Sequence, residues 1–359
     1  MTHVVVVGAG QAGLALAARL RADGFDGQIT LIGAEPHPPY QRPPLSKDYL
    51  LGELQRERLY LRPESFYAEQ GIDLRMGAEV AFIDTGRREV SLVTGGVVPY
   101  DELVLTTGST PRRLPAAIGG DLDGVLVMRD TRDADRLAPE LAEGKRVLVV
   151  GGGYIGLEAA AVCAKRGLAG EDGHVRGAVL STGEEIPVDL VLVGVGVVPN
   201  TKLAESAGIE VENGIKTDEY GRTSAPHVWA AGDCASLPHG EGRIRLESVG
   251  NAIDQAEAVA RNIMGANAPY VPQPWFWSDQ YDTKLQIAGL NTGYDRVFVR
   301  EIGAGLSHWY YCGDRLVAVD AMNDSRAYMI GKRLLEAGKS PAPEVVIDPA
   351  TDLKALLKA

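Results

Sequence analysis

The sequence predicts an α/β fold with two similar parallel-sheet domains and a smaller α+β domain after them. A strand of β-branched residues, a glycine-rich turn and an alanine-rich helix follow one another at the N-terminus, and the same order returns near residue 150. After about residue 267 the pattern changes to short strands and one final helix. Because 359 residues exceed what one compact core normally holds, separate domains are expected.

The first strand–turn–helix stretch is VVVVGAGQAGLALAARL, residues 4–20. Gly8, Gly10 and Gly13 form a GxGxxG turn between the apolar strand and the helix. In such a turn the first glycine permits a tight bend, the second lets the backbone approach a pyrophosphate, and the third lets the helix pack on the strand. The helix N-terminus then offers free N–H groups to the phosphates. This order predicts a Rossmann-like dinucleotide-binding unit.

The second strand of this unit supplies a candidate ribose-binding acid. The stretch QITLIGAE ends at Glu35, which lies 22 residues beyond Gly13 (35 − 13), near the expected spacing of about 20. A solvated loop acid is the alternative role for Glu35. The order of strand, glycines, helix, strand and acid favours the ribose contact.

A second copy of the pattern is KRVLVVGGGYIGLEAAAVCAKRGL, residues 145–168. Its turn contains Gly151, Gly153 and Gly156. Two such turns in one chain imply two dinucleotides, and electron transfer between them is the simplest reason to bind both.

The second copy departs from the pattern after its helix. Counting 22 residues beyond Gly156 reaches Ala178, which lies within HVRGAVLSTG. The earlier acids, Glu171 and Asp172, lie in a glycine-flanked turn with no strand before them. We therefore expect this unit to lack the strand that carries the acid, and also the segment that normally follows it.

Charge and composition exclude several classes of function. The net charge of −12 argues against binding of nucleic acid, which needs a basic face. No run of about 18 apolar residues is present, so no membrane span is expected. The N-terminus runs directly into a strand without a basic leader, which indicates a cytoplasmic protein.

The three cysteines, Cys163, Cys234 and Cys312, are far apart and form no CxxC pair. This spacing predicts neither a metal site nor a redox dithiol. We expect all three to be buried small side chains.

Six further motifs carry a resemblance that covers nearly the whole chain. They are YQRPPLSK (residues 40–47), LVLTTGSTPR (103–112), VLVGVGVVPN (191–200), VWAAGDCA (228–235), RLESVGNAIDQA (245–256) and PWFWSDQYDTKLQIAG (274–289). Together with the two glycine turns, they resemble the FAD-dependent, NADH-linked ferredoxin reductases of bacterial oxygenase systems. This putidaredoxin-reductase type has the glutathione-reductase-like fold.

The resemblance also defines the gap in the second unit. The family carries a strand, a helix and a further strand after the helix at 157–167, whereas this sequence continues into a hairpin-like stretch, GHVRGAVLSTGEEIPVDL. The missing segment is about 40 residues, the size of a crossover unit.

The resemblance implies three domains. They are an FAD domain at 1–112 and 200–266, an NAD domain at 113–199 that is shortened after about residue 168, and a C-terminal interface domain at 267–359. We expect a monomer or a weak dimer.

The family pattern assigns cofactor contacts by position. Gly8, Gly10, Ala12 and Gly13 would hold the FAD pyrophosphate, Glu35 the adenosine ribose, and Asp233 the ribityl chain. The other implied cofactor contacts are Arg42, Lys47, Val80, Thr107, Gly108, Arg129, Val249 and Trp275 for FAD, with Gly151, Gly153, Gly156 and Gly196 for NADH.

The resemblance further implies a catalytic pair. The family lysine that matches Lys47 lies near flavin N5 and pairs with the glutamate that matches Glu158. A cation there would stabilise negative charge on the reduced cofactor. A surface lysine and a helix-face glutamate are the alternative roles.

Two tryptophans, Trp275 and Trp277, flank a phenylalanine, and their alternation predicts a strand with both rings on one face. One ring would lie beside the flavin in the family, while a hydrophobic plug between domains is the alternative. Several basic residues of the last domain could meet an acidic ferredoxin or could be scattered solvated charges. They are Lys284, Arg315, Arg326, Lys332 and Arg333.

The resemblance implies electron transfer from NADH through FAD to a [2Fe–2S] ferredoxin that serves an oxygenase such as a cytochrome P450. Because no CxxC lies beside the flavin, electrons would leave it directly. The gap in the second unit predicts impaired NADH binding. The alternatives are an NADH oxidase, which usually needs a redox cysteine near PPLSK, and a flavin-binding module with an interaction role.

Overall fold

The computed structural model describes residues 1–166, 177–179 and 182–358. The turn acids Glu171 and Asp172 lie outside these residues. Within them, no helix is long and apolar enough to cross a membrane. The same described ranges contain no group of His, Cys, Asp and Glu side chains arranged to hold a metal ion.

Helices and strands are numbered in chain order. The helices are α1 (Gln11–Ala22), α2 (Asp48–Leu51), α3 (Glu64–Glu69), α4 (Thr131–Leu137), α5 (Tyr154–Arg166), α6 (Lys202–Ser206), α7 (Val249–Ile263), α8 (Ser325–Glu336) and α9 (Pro343–Ile347). The strands are β1 (His3–Val7), β2 (Gln28–Ile32), β3 (Ile72–Arg75), β4 (Val80–Asp84), β5 (Glu89–Leu92), β6 (Val97–Pro99), β7 (Glu102–Leu105), β8 (Ser109–Pro111), β9 (Val125–Val127), β10 (Val147–Val150), β11 (Ala178–Val179), β12 (Glu185–Ile186), β13 (Leu190–Val193), β14 (Val197–Pro199), β15 (Ile215–Lys216), β16 (Val228–Ala230), β17 (Ala235–His239), β18 (Gly242–Ile244), β19 (Trp275–Gln280), β20 (Thr283–Gly289), β21 (Arg296–Ile302), β22 (Gly305–Cys312) and β23 (Arg315–Met322). The chain forms two compact units, Met1–Glu247 with Ala252–Tyr270, and Ser248–Asn251 with Val271–Ala359.

A five-stranded parallel sheet forms the centre of the first unit, in the order β16–β7–β1–β2–β3. β1 lies in its middle, where Val5 faces Thr30 of β2 on one side and Leu103 of β7 on the other. Residues 4–6 are completely buried, as expected for an interior strand covered on both faces. Helix α1 contributes its leucines to the same core.

The second sheet of this unit has three parallel strands, in the order β10–β13–β9. β10 corresponds to β1, since each leads into a glycine turn and a helix. β1 has a neighbour on each side, whereas β10 pairs only with β13 within the described part of the chain. The four residues of β10 are accordingly only half-buried. Among the described residues, β10 is therefore an edge strand.

The connection after α5 is short. In the first sheet, 79 residues (23–101) separate the end of α1 from the start of β7, whereas 23 residues (167–189) separate α5 from β13. The expected hairpin is present within them, because β11 and β12 pair antiparallel with Ala178 opposite Ile186. Only residues 167–177 remain before it.

The two passages of the chain between the parallel sheets run side by side. β8 and β14 form an antiparallel ribbon in which Ser109 faces Pro199 and Pro111 faces Val197. The ribbon lies at the boundaries expected near residues 112 and 200. The division of the first unit into FAD and NAD domains remains a prediction.

The second unit is built on a five-stranded antiparallel sheet, in the order β19–β20–β23–β22–β21. The stretches RVFVREI and RLVAVDAM, which the sequence predicts as strands, are β21 and β23. α8 follows them as predicted and packs Leu334 into a core with Trp309 and Tyr311. Apolar and polar residues alternate in these strands and tight turns separate them, so the strands can be predicted from the sequence.

The prediction that all cysteines are buried is wrong for Cys312. Cys234 is fully buried in the first unit, whereas Cys312 is exposed at the end of β22, next to the turn at Gly313. The last residue of a hairpin strand lies outside the packed face, and this explains the exposure. The side chain of Cys163 lies outside the described residues.

One buried cation holds the C-terminal segment against the second sheet. Arg300 of β21 is buried, and its Nη1 donates to the carbonyl oxygens of Val346 (2.7 Å) and Asp348 (2.5 Å). Its Nη2 donates to the carbonyl oxygen of Thr351 (3.0 Å). Burying a guanidinium is costly unless it finds such acceptors, so these carbonyls tie the segment to the strand.

Replacing Arg300 by Met should lower the free energy of unfolding by about 2–4 kcal/mol, because three carbonyls lose charge-assisted hydrogen bonds. Urea unfolding followed by circular dichroism measures the change. Arg326→Met is the matched control, since exposed Arg326 pairs with exposed Asp352 and its loss should cost less than about 1 kcal/mol. Equal losses for the two variants would contradict the role of Arg300.

Candidate dinucleotide sites

The first glycine turn has the geometry that the sequence predicts. Gly8 has φ +117°, and a Cβ on it would lie 2.1 Å from the carbonyl oxygen of Thr106. A Cβ on Gly13 would lie 2.1 Å from the carbonyl oxygen of Gly8. Only glycine fits either position, because the turn, β7 and α1 approach each other through their backbones.

Gly10 differs from these two glycines because it faces open space. A Cβ on Gly10 would meet nothing within 4 Å, and the residue lies at the N-cap of α1. The helix therefore leaves room for an anion at its N-terminal N–H groups. The side chain of Ala12 is buried and would lie 3.0 Å from a Cβ on Gly232, which brings the Asp233 loop beside this turn.

Glu35 follows β2 at the same edge of the first sheet as the Gly8 turn, and it is held by two partners. Its Oε1 lies 2.6 Å from Nη2 of Arg42, and its Oε2 accepts a hydrogen bond from the Tyr40 hydroxyl at 2.5 Å. Burial raises the pKa of Tyr40, so the phenol stays a donor. The prediction that the strand extends to Glu35 is wrong: β2 ends at Ile32, because the loop at Gly33 packs tightly against Ala9.

Asp233 and Arg129 form the opposite end of a continuous polar network. Oδ2 of Asp233 accepts hydrogen bonds from Ser109 Oγ (3.0 Å) and Arg129 Nη2 (3.1 Å). The carbonyl oxygen of Arg129 accepts a hydrogen bond from Arg42 Nη1 (2.8 Å). Arg129 thus connects the carboxylate predicted for the ribityl chain with the Glu35 group predicted for the adenosine ribose.

The turn after β7 is fixed by reciprocal hydrogen bonds. Thr107 Oγ1 donates to the carbonyl oxygen of Asn200 (2.7 Å), and Asn200 Nδ2 donates to the carbonyl oxygen of Thr107 (2.8 Å). Gly108 has φ +68°, and a Cβ on it would lie 3.4 Å from Arg129 Nη2. This turn therefore positions the Arg129 side chain toward Asp233.

Lys47 and Glu158 form the ion pair that the resemblance implies. Lys47 Nζ lies 3.1 Å from Glu158 Oε1, and the side chains are 18% and 7% exposed. Ser46 Oγ donates to Glu158 Oε2 at 2.8 Å. Lys47 lies between the PPLS turn and α2, whereas Glu158 lies on α5 just after the second glycine turn. The pair therefore joins the loop of the predicted FAD domain to the helix of the predicted NAD domain.

The second glycine turn repeats the close approaches of the first. Gly151 has φ +114°, and a Cβ on it would lie 2.4 Å from the carbonyl oxygen of Gly194. A Cβ on Gly156 would lie 2.5 Å from the carbonyl oxygen of Gly151. Gly153 matches Gly10, because its Cβ would have only one atom within 4 Å, at 3.7 Å. Gly196 lies farther along, after β13, with φ +94°.

The surroundings of the two turns differ. Leu14 is 5% exposed on α1, whereas Leu157, at the matching position of α5, is 38% exposed. Ala12 is 7% exposed and its counterpart Ile155 is 39% exposed. The exposed apolar side chains and the edge position of β10 together mark the side of the second turn where a neighbouring strand would pack.

Three other predicted contacts are apolar residues outside this hydrogen-bonded network. Val80 is the first residue of β4 and is buried in a hydrophobic core. Val249 and Trp275 belong to the second unit. There the rings of Trp275 and Trp277 stack with centroids 5.5 Å apart, which confirms that both lie on one face of β19. Lys332 Nζ lies 5.1 Å from the centroid of the Trp275 ring.

Sequence reasoning missed four residues that hold the predicted ones. They are Tyr40, Ser46, Ser109 and Asn200. Each lies within one of the quoted motifs, next to or near an assigned residue, and that adjacency is the only sequence signal for them.

Two family models match the chain. The model for pyridine nucleotide-disulphide oxidoreductase matches residues 2–171 and 165–256, and the model for reductase C-terminal matches residues 275–357. A ferredoxin–NAD(P)(+) reductase from Sphingomonas sp is 42% identical over 405 residues, covering 98% of this chain and 97% of the relative. Putidaredoxin reductase from Pseudomonas putida is 37% identical, covering 99% of this chain and 97% of the relative.

Solved structures of two reductases are also similar to this chain over nearly its whole length. The ferredoxin reductase for the CYP199A2 system from Rhodopseudomonas palustris has a TM-score of 0.93 and 36% identity, covering 99% of both chains. The covalent putidaredoxin reductase–putidaredoxin complex has a TM-score of 0.92 and 35% identity, covering 99% of this chain and 98% of that chain. The parallel sheets with two glycine turns, followed by an antiparallel C-terminal sheet, define an α/β oxidoreductase with two dinucleotide sites. The chain belongs to the pyridine nucleotide-disulphide oxidoreductase family and carries the reductase C-terminal domain.

The comparisons also locate the missing segment. The alignment with the Sphingomonas relative has 405 positions and this chain has 359 residues, so at least 46 positions of the relative have no counterpart here (405 − 359). The oxidoreductase model matches in two parts that meet at residues 165–171, at the end of α5. The two matched parts overlap at the end of α5, where the sequence predicts the gap.

Gly8→Ala and Gly10→Ala should have different effects. Gly8→Ala should lower the unfolding temperature of the FAD-free protein, because the new Cβ meets a backbone oxygen and a positive φ costs about 1–3 kcal/mol. Gly10→Ala should leave that temperature unchanged and weaken FAD binding at least about 10-fold, the loss of one hydrogen bond to a charged group. Thermal unfolding and flavin titration of the FAD-free protein measure both effects. Unchanged FAD affinity in Gly10→Ala would place the pyrophosphate elsewhere.

Proposed function

We propose that this protein is an FAD-dependent reductase that passes electrons from NADH to a [2Fe–2S] ferredoxin serving an oxygenase such as a cytochrome P450. The observation that carries the proposal is the ion pair between Lys47 and Glu158, which joins the loop of one dinucleotide domain to the helix of the other. Relatives named ferredoxin–NAD(P)(+) reductase and putidaredoxin reductase support the reaction class.

The residues of the first site fit FAD. Gly8 and Gly13 shape the turn, and the open space at Gly10 accommodates the pyrophosphate at the N-terminus of α1. Asp233 would bind the ribityl hydroxyls and Glu35 the adenosine ribose. Their oxygens already accept hydrogen bonds from neighbouring donors, which fixes their orientation before the cofactor binds.

When bound, FAD would supply the chemistry, accepting a hydride from the dihydronicotinamide ring and releasing two electrons one at a time. Lys47 would place a positive charge where negative charge develops during the hydride transfer. Glu158 keeps the ammonium group in position, and Ser46 fixes the second oxygen of Glu158.

The cysteines give the flavin no dithiol partner. Cys234 lies next to Asp233 but is fully buried, and burial raises the pKa of its thiol. The exposed Cys312 belongs to the second unit. The sequence contains no CxxC pair. Direct electron transfer to an iron–sulfur partner is therefore favoured over relay through a disulfide.

The partner would be an acidic ferredoxin that meets basic residues of the C-terminal domain. Two of the five predicted docking cations make pairs within this unit, since Arg326 contacts Asp352 and Lys332 contacts Glu336. We further propose that the protein is cytoplasmic and acts as a monomer or a weak dimer.

The short second sheet favours one alternative, a flavin-binding module that NADH does not reduce. β10 is an edge strand within the described residues, and loss of its neighbour removes the acid that would bind the adenosine ribose. Rapid mixing with NADH separates the two functions. Bleaching of the flavin band supports the reductase, and no bleaching supports the module.

We expect the dissociation constant of NADH to lie above the micromolar range, while FAD binding stays intact. Each missing hydrogen bond to a charged acceptor costs about 1.5–3 kcal/mol of binding free energy. An anaerobic NADH titration of the FAD-loaded protein, followed in the flavin band, measures the affinity. A dissociation constant in the micromolar range or below would contradict this expectation.

Lys47→Met should slow flavin reduction at saturating NADH on the order of 100-fold and make the flavin midpoint potential more negative. Both effects follow from loss of the positive charge that stabilises the reduced cofactor. Stopped-flow absorbance and a redox titration measure them. Lys145→Met is the control, because Lys145 pairs with Glu140 near the surface and should change neither value. Equal behaviour of the two variants would rule out a catalytic role for Lys47.

A further inference from the structure

We infer that the second dinucleotide site recognises the nicotinamide half of its ligand and not the adenosine half. Reduced nicotinamide mononucleotide should therefore serve as an electron donor about as well as NADH. The inference rests on the proposed function, because it names the class of donor that this site accepts.

The part of the site that binds a phosphate is retained. Gly151 and Gly156 make the same backbone approaches as Gly8 and Gly13 in the first turn. Gly153 faces open space, as Gly10 does. α5 is a helix of 13 residues whose N-terminus follows this turn, so its free N–H groups can receive a phosphate.

The ion pair of Lys47 and Glu158 belongs to the same half of the site. Glu158 lies two residues after Gly156, and its carboxylate is buried against Lys47 and Ser46. The hydride-donating ring would meet this end of the site. The charged pair does not depend on the segment that is missing after residue 166.

The part that would bind adenosine is not retained. In the first domain the ribose-binding group, Glu35 with Arg42 and Tyr40, lies just after β2, which pairs with β1. In the second domain the described residues place no strand on the outer edge of β10. The alignment with the Sphingomonas relative leaves at least 46 positions of that relative without a counterpart in this chain.

Among the residues that the structure describes, the surface next to the second turn offers no replacement. Ile155 and Leu157 expose apolar side chains there, while their counterparts Ala12 and Leu14 are buried. Apolar carbon atoms cannot pair with the ribose hydroxyls of adenosine. The dihydronicotinamide riboside is the same in the mononucleotide and in NADH, and the phosphate monoester of the mononucleotide takes the place of the nicotinamide-side phosphate of the NADH pyrophosphate. The adenosine half therefore adds little binding free energy that this site can use.

Calorimetric titration of the FAD-loaded protein tests the inference without turnover. The ligands are NAD+, oxidised nicotinamide mononucleotide and adenosine. We expect the first two to have dissociation constants within about 10-fold of each other, and adenosine not to bind. The Sphingomonas relative, which is 42% identical and has at least 46 more aligned positions, is the matched control. It should prefer NAD+ over the mononucleotide by on the order of 100-fold, about two lost hydrogen bonds.

Gly153→Ala should weaken NAD+ and the mononucleotide by the same factor, because its Cβ occupies the space left for the phosphate and contacts no protein atom closely. Gly242→Ala is the control, since a Cβ there also meets nothing within 4 Å and the residue lies on β18, outside both glycine turns. Anaerobic mixing with either reduced nucleotide then compares the two as donors.

A preference for NAD+ of 100-fold or more, or tight binding of adenosine, would overturn the inference. Failure of both nicotinamide nucleotides to bind would overturn it too, because the nicotinamide half would then be lost. The proposed function is tested separately by reducing the FAD-loaded protein with dithionite and adding a [2Fe–2S] ferredoxin. Electron transfer from the reduced protein to the ferredoxin would support the flavin–ferredoxin step even if the inference about the nucleotide is wrong.

Discussion

The ion pair between Lys47 and Glu158 is the interaction on which the functional part of the first unit depends. Burial of two opposite charges is tolerated only when they stay in contact and their remaining polar atoms are satisfied, and Ser46 supplies one such contact. The pair thereby fixes α5 against the loop before α2. A cation held in this way has little freedom to move, and a preorganised charge costs no rearrangement when a reaction develops charge beside it.

The two glycine turns have nearly the same backbone geometry in different surroundings. Gly8 and Gly151 adopt nearly the same positive φ, and each approaches a backbone carbonyl of a neighbouring strand. The surroundings decide what each turn can hold. The first is enclosed by a sheet of five strands, and the second stands at the edge of three within the described residues. Local backbone geometry survives the loss of a crossover, because it depends on β10, β13 and α5 alone.

The sequence predicted the parts that depend on local pattern. Glycine spacing located both turns, and alternation located β21 and β23 to the residue. Contacts between distant residues were not readable from residues alone. Arg129 and Asp233 lie 104 positions apart, and no periodicity relates them. Lys47 and Glu158 were paired only through the family resemblance. The exposure of Cys312 was missed because composition favours buried cysteine, whereas the hairpin turn places this one at the surface.

The ribbon of β8 and β14 brings together the two ends of the segment that lies between them in the sequence. The chain leaves the five-stranded sheet and returns to it through two strands in direct hydrogen-bonded contact, with Ser109 opposite Pro199. The ribbon holds the two ends of the inserted segment together. The segment is held a second time by the pair of Lys47 and Glu158 and by the core that Leu50 shares with Leu137. A change of length within the inserted segment, away from both attachments, therefore leaves the pairing of β8 with β14 unchanged.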